Sequence, residues 1–164
     1  MRRPVEMPAI LTLRRAGKAD VDRVVQIESE GFLHPWSRQL VERELDHSWS
    51  VLLLAEDGSG GPVMGYVVFW VVHDEVHVLN VATALAARRR GIGRTLMEAA
   101  EAEGRQRGAR LSTLEVRRSN TPAIALYVAM GYREVGVRPN YYAEEREDAL
   151  VMVKPLGGSP ETVP

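Results

Sequence analysis

The 164-residue chain has no cysteine, which excludes disulfides, thiolate metal centres and any mechanism that parks an acyl group on a cysteine sulfur. An acyl transfer by this chain would have to be direct. No stretch approaches the ~20 consecutive apolar residues of a membrane-spanning helix, and Met1, Arg2 and Arg3 are not followed by the apolar run of a secretory signal. A cytoplasmic location is the expectation. An excess of one charge is also missing. The 21 basic and 22 acidic residues leave a net charge of -1, so no global field draws the protein onto nucleic acid or an anionic membrane, and neither is expected as a partner. No internal repeat is present. The compositional breaks are the loop at residues 57–62 (DGSGGP) and the tail at residues 157–164 (GGSPETVP).

The composition is that of one folded unit. At 45% hydrophobic and 26% charged residues the chain is too apolar to stay disordered, and its length suits a single core. A single domain over residues 8–155 is expected, with residues 1–7 and 156–164 as flexible termini. Ile10 to Arg15 alternates as a first strand, and Asp20 opens a run in which Val21, Val24, Val25 and Glu28 fall at helical spacing. Ser37 is placed to cap a second helix whose buried face would be Leu40, Val41 and Leu45. Three apolar segments, Ser50 to Ala55, Val63 to Val72 and Val76 to Ala82, read as a meander. A long helix from Gly91 to Gly108, a strand from Leu111, a short helix opening at Thr121 and Pro122, and two last strands complete the order β-α-α-β-β-β-α-β-α-β-β. The fold class is α/β, with a mixed, mostly antiparallel sheet flanked by helices.

The sharpest local signal is RRRGIGR, Arg88 to Arg94, after an apolar strand and at the start of the long helix. The first N–H groups of a helix have no partner within it and carry the positive end of its dipole, so they can hold a pyrophosphate. Glycines let the backbone approach closely, and arginines add forked donors suited to phosphate oxygens. An isolated GxG with a basic face can equally be a tight turn. A dinucleotide fingerprint would need a third glycine near Leu96, and a P-loop would need Lys and Ser/Thr after its last glycine; neither is present. What remains is a coenzyme A-type site.

Downstream, LEV at Leu114, Glu115 and Val116 sets a carboxylate within an apolar strand, and Asn120 and ALY at Ala125, Leu126 and Tyr127 follow. An amine attacking a thioester must lose a proton and the departing thiolate gains one, so a base and an acid are both useful. Glu115 and Tyr127 can supply them. Equally, Glu115 can face solvent and Tyr127 can be a core aromatic. His73 and His77 lack a third ligand at suitable spacing, and no metal site is expected.

The pattern Arg88-x-x-Gly91-x-Gly93 after a strand resembles the acetyl-coenzyme A signature of the GNAT superfamily. The stretch from Glu75 to Lys154 is similar to the RimI-type ribosomal-protein alanine N-acetyltransferases, through HVLNVA, RRRGIGR, LEVRRSN, AIALY, GY, RPNYY and REDALVM in that order. The resemblance implies a GNAT fold with acetyl-coenzyme A as co-substrate. It implies pantetheine on the backbone of Leu79, Asn80 and Val81, and the pyrophosphate on Arg88, Arg89, Arg90, Gly91, Ile92, Gly93, Arg94 and Thr95. Asn120 and Tyr127 would also touch the cofactor. Glu115 would be the base and Tyr127 the acid.

The substrate implied is the N-terminal α-amine of a protein, with the N-terminal alanine of a small-subunit ribosomal protein foremost. Pro35, Trp36, Tyr141 and Tyr142 would flank its groove, with Glu28 near the mouth. HPWS resembles the family's PWS, with His34 where an aromatic is more usual. Other N-termini, lysines or small amines, and a noncatalytic acetyl-coenzyme A-binding module, are the alternatives.

Overall fold

The computed structural model describes residues 10–157. Seven strands form one sheet: β1 (Leu11–Arg15), β2 (Ser50–Asp57), β3 (Val63–Val72), β4 (Glu75–Thr83), β5 (Leu111–Arg117), β6 (Arg133–Tyr142) and β7 (Glu147–Pro155). The helices are α1 (Val21–Gly31), α2 (Arg38–Asp46), α3 (Ile92–Gln106) and α4 (Thr121–Ala129), with short 3-10 turns at Lys18–Asp20 and Leu85–Ala87. The element order is the one expected from the sequence. Across the sheet the strands run β1-β2-β3-β4-β5-β7-β6.

The sheet is mixed. β4 and β5 run parallel and the other neighbours antiparallel, so a mainly antiparallel description misses the pairing at its centre. A parallel pair needs a crossover, and α3 supplies it.

β3 is covered on both faces, which explains its near-continuous apolar run, VMGYVVFWVV. Alternation along the strand sends Gly65 toward Ile92 and Leu96 of α3, while Tyr66 faces the opposite side. The α3 face is built from Ile92, Leu96, Met97, Ala100 and Gly104, all buried. At Gly104 an added Cβ would overlap Val76 Cγ2, so glycine here lets helix and strand approach.

Two local expectations are corrected. Leu40 is 39% exposed, and its place on the buried face of α2 is taken by Glu44, whose Oε2 accepts a 2.8 Å bond from the Trp70 indole N–H. An indole buried on one side needs an acceptor, and that need overrides hydrophobic pattern. The core also reaches past residue 155: Leu156 is 2% exposed and its N–H donates to Arg110 O at 2.7 Å. Of the expected termini, 1–7 and 156–164, residues 1–7 and 158–164 lie outside the described residues.

Ser37 caps α2 as expected, its hydroxyl accepting from Leu40 N–H at 3.2 Å. Helix propensity alone would make Gly104→Ala stabilising by about 1 kcal/mol. The overlap with Val76, itself 0% exposed, reverses the sign. Gly104→Ala is expected to lower the unfolding free energy by about 1–3 kcal/mol, read from urea titration.

Candidate active site

The site originates in a parting of strands. β4 pairs with β5 from Glu75↔Leu111 to Val78↔Leu114 and no further. On its other edge β4 continues along β3, where the register shifts so that Val68 opposes Asn80 and Phe69 opposes Val78. Leu79 is the extra residue of this bulge, and a bulge bends its strand. Beyond it β4 diverges from β5, and a cleft of about 380 Å³ opens between Val78–Thr83 and Leu114–Arg117. The backbone of Leu79 to Val81 on that side has no β5 partner, so its polar groups are free to bind an extended ligand.

Ten of the residues expected from the sequence line this cleft: Glu28, Trp36, Leu79, Asn80, Val81, Gly93, Glu115, Asn120, Tyr127 and Tyr142. Arg88, Arg89, Arg90, Gly91, Ile92, Arg94 and Thr95 are not in its wall; they lie around the start of α3, where only Gly93 reaches the cleft. Ile92 is 1% exposed and packs into the core, so only its backbone is available. Pro35 lies outside the wall, and Tyr141 is a half-exposed neighbour of Tyr142, with the rings edge to face. Both tyrosines belong to β6 and do not lie between the strands.

The start of α3 is shaped for an anion. Gly91 caps the helix with φ 75°, and Arg89 also has a positive φ of 65°. Left-handed residues in such a turn direct successive amides to one side. A Cβ at Gly91 would meet nothing within 4 Å, and one at Gly93 would meet only Leu126 and Thr83 at 3.6 and 3.9 Å. The fold itself therefore leaves the space over this turn open. Arg94 is paired with Glu98, whereas no ion pair among the described residues involves Arg88, Arg89 or Arg90. These exposed guanidiniums, with the amides, are a donor set suited to a diphosphate.

The two candidate proton-transfer groups come from flanking elements. Glu115 is half-buried on β5, and Arg138 of β6 reaches it at 3.2 Å. Tyr127 on α4 is 7% exposed, and its ring lies 5.8 Å from that of Tyr132. Burial, helped by Tyr142, pushes its phenol up to about 12, so the proton stays in place at neutral pH. Asn120 has a structural duty as well: its Oδ1 accepts from Ala123 N–H at 3.3 Å and caps α4.

Glu28 is not at the mouth, where the resemblance put it. It is 1% exposed, in the floor of the cleft. Asn80 Nδ2 donates to its Oε1 and Oε2 at 2.8 and 2.7 Å, and Trp36 N–H donates to Oε1 at 3.2 Å. Burial raises its pKa from the ordinary 4.5 to about 7, against the opposing pull of the Trp36 and Asn80 bonds.

Two titratable lining residues, Arg117 and His34, are not among the expected site residues, although the HPWS resemblance includes His34 beside Pro35 and Trp36. Arg117 lies two residues after Glu115, on the same face of β5; it pairs with Glu145 at 3.0 Å and lies 3.9 Å from the Tyr142 ring centroid. That alternation was the available signal. His34 also lines the cleft, and it meets Glu144 at 2.6 Å and Glu145 at 2.9 Å. These three side chains are the one metal-capable group among the described residues; the contacts of the imidazole with the two carboxyl groups already account for their meeting.

A strand pair that parts toward a helix start, with a carboxylate and a phenol beside the opening, is the layout of an enzyme that aligns a long anionic donor for group transfer. The chain belongs to the acetyltransferase (GNAT) family, whose model matches residues 21–132, and enzymes of this family use acetyl-coenzyme A. It is 32% identical over 147 residues to the ribosomal protein bS18-alanine N-acetyltransferase of Escherichia coli strain K12, covering 88% of this chain and 97% of that one. The corresponding enzyme of Salmonella typhimurium strain LT2 is 34% identical over 147 residues, with the same coverage. The crystal structure of the ribosomal-protein-S18-alanine N-acetyltransferase from Escherichia coli superposes with a TM-score of 0.83 at 30% identity, over 94% of this chain and 99% of that one. Among the described residues no helix is long and apolar enough to cross a membrane.

The raised pKa of Glu28 has a thermodynamic consequence. The folded state holds this proton more tightly than the unfolded state, so stability falls as pH rises from about 4.5 to about 7 and levels off above that. The shift corresponds to about 3 kcal/mol. Glu28→Gln lacks this loss. Relative to the parent protein its unfolding free energy should improve by about 3 kcal/mol between pH 4.5 and pH 8, measured in parallel urea titrations.

Proposed function

We propose that the chain transfers the acetyl group of acetyl-coenzyme A to the N-terminal α-amine of a protein, and that its substrate is the alanine N-terminus of ribosomal protein bS18. The observation that carries this reading is the parted β4–β5 pair leading to the start of α3, in a chain whose bS18-alanine acetyltransferase relatives align over nearly their whole length. Acetyl-coenzyme A supplies an activated thioester and a diphosphate handle. The amides at Ile92 and Gly93, with Arg88, Arg89, Arg90 and Arg94, suit the diphosphate; Thr95 supports the turn from within, its N–H and hydroxyl both donating to Gly91 O at 3.1 and 3.0 Å. The free backbone edge of Leu79, Asn80 and Val81 suits the amide-bearing arm, with Asn120 beside it.

With no cysteine to carry the acyl group, the amine attacks directly in a ternary complex. Glu115 accepts a proton from the attacking nitrogen, and Tyr127, whose proton is retained by burial, gives one to the leaving sulfur. The peptide enters past Trp36 and Tyr142, with Pro35 and Tyr141 on the outer rim. An α-amine is roughly a tenth deprotonated at pH 7, whereas lysine is less than a thousandth so, and a carboxylate base suits the first. The domain spans residues 8–155 with Leu156 added, and the protein acts in the cytoplasm.

Acetyl-coenzyme A supplied with peptides bearing free or blocked N-termini, with and without lysine, should label the free α-amine alone, located by mass spectrometry. Label on lysine alone overturns the assignment. Glu115→Gln should slow turnover by about 10²–10⁴-fold while calorimetry shows coenzyme A affinity within about twofold; equal turnover removes Glu115 from the mechanism.

A further inference from the structure

Among the described residues, the buried charged side chains are four glutamates: Glu28, Glu44, Glu56 and Glu101. Three have an evident counterpart. Glu44 accepts from the Trp70 indole, Glu56 pairs with Arg14, and Glu101 pairs with Lys154. Glu28 has no cation and no indole. Its partners are one side-chain amide and one backbone N–H, and it is the one of the four that opens on the cleft. An uncompensated carboxylate in such a place costs stability that a glutamine with the same acceptor oxygen would not cost. A purely structural role does not explain it.

The reaction supplies a role. An α-amine reaches the enzyme at pH 7 mostly as an ammonium, so its nitrogen must lose two protons: one to free the lone pair, one after the N–C bond has formed. Glu115 accounts for one. Glu28 Oε1 is occupied by Trp36 and Asn80, whereas Oε2 accepts from Asn80 alone, so Oε2 retains a lone pair for an ammonium hydrogen.

We propose, on the basis of the α-amine reading above, that Glu28 receives the substrate's α-ammonium and takes its first proton, with Asn80 and the Trp36 N–H holding the carboxylate in position. The ammonium proton passes to Glu28 and leaves a neutral amine. The nitrogen then bonds to the acyl carbon as the carbon–sulfur bond breaks; the second nitrogen proton passes to Glu115, and the sulfur takes one from Tyr127. Glu115 returns a proton to Tyr127 through solvent and Glu28 releases its own, which leaves one proton liberated per acetyl group moved. A pKa of about 7 puts Glu28 within about one unit of an α-amine, close enough for the transfer to run in both directions.

The other titratable groups around this cavity are Tyr66 on β3, His34 on the α1–α2 connection, Glu115 and Arg117 on β5, Tyr127 on α4 and Tyr142 on β6. On the remaining neighbours of α1, Glu44 of α2 is engaged by Trp70 and Asp20 of the preceding turn by Arg14.

The test is the pH dependence of kcat/KM for an alanine-terminated peptide, from pH 6 to 9.5, in the parent enzyme and in Glu28→Gln. The variant should be slower by at least about tenfold at pH 7, and the deficit should narrow to less than about threefold at pH 9, where the amine arrives neutral. A deficit of the same size at every pH, or none, overturns the proposal. If the parent enzyme leaves N-termini unlabelled, the acetyltransfer reading has failed; if it labels them and the deficit is flat, only the role of Glu28 has failed. Calorimetry with coenzyme A reports whether Glu28→Gln is folded. Should it not be, Asn80→Ala removes donors that favour the ionised carboxylate and should move the acidic limb of the profile to higher pH by at least about half a unit; an unmoved limb overturns the proposal.

Discussion

The divergence of β4 from β5 is the constraint on which the rest of this molecule depends. A parallel pair that stayed in register to its ends would leave no cleft and no free backbone edge. The bulge at Leu79 bends one strand, while β5 keeps its own register with β7 from Leu111 to Arg117. The two strands thus have different obligations on their outer edges, and the gap between them is where these become incompatible. The crossover required by parallel strands then sets the N-terminus of α3 at the end of the gap that β4 leads into. A strand edge and a helix start are both backbone features, to which the exposed guanidiniums of Arg88, Arg89 and Arg90 add charge.

The acceptor end works differently. Glu28, Trp36, Glu115, Arg117, Tyr127 and Tyr142 come from α1, the α1–α2 connection, β5, α4 and β6, and their side chains hold one another. The Trp36 backbone N–H donates to Glu28, Arg117 meets Tyr142 and Glu145, and Glu115 meets Arg138. His34 pairs with Glu144 and Glu145 across the two connections that flank the groove. Exposed pairs of this kind contribute little to stability. Their consequence is geometric, because they hold the α1–α2 connection against the β6–β7 turn.

Features that obey a local rule were readable from the sequence. Periodicity gave the strands and helices in their order, and the glycines and arginines before α3 marked a helix start open to an anion. What was missed depends on tertiary neighbours. Leu40 matches a helical apolar stripe, but the Trp70 indole needed an acceptor and Glu44 took the inward position. Leu156 follows a proline near a Gly-rich tail and reads as punctuation, yet Arg110 offers its N–H an acceptor and the core offers its side chain a place. Helical spacing did put Glu28 on the face of Val21 and Val24, but nothing in α1 tells that Asn80, some fifty residues on, supplies the amide that holds a carboxylate there.

His34 stands where the resembling family more often carries an aromatic, and its surroundings explain how the change is accommodated. An aromatic at the lip of a groove contributes apolar area; an imidazole contributes two nitrogens, and both are met here by carboxylates of the β6–β7 turn. One of those carboxylates, Glu145, also binds Arg117, whose guanidinium stacks on Tyr142. The exchange of an apolar contact for a polar one is thus passed along a chain of contacts to a residue that lines the cleft. The floor, where Glu28 sits between Asn80 and Trp36, lies outside that chain. The side chains at the lip of the groove can therefore change while the contacts that hold Glu28 in its floor do not.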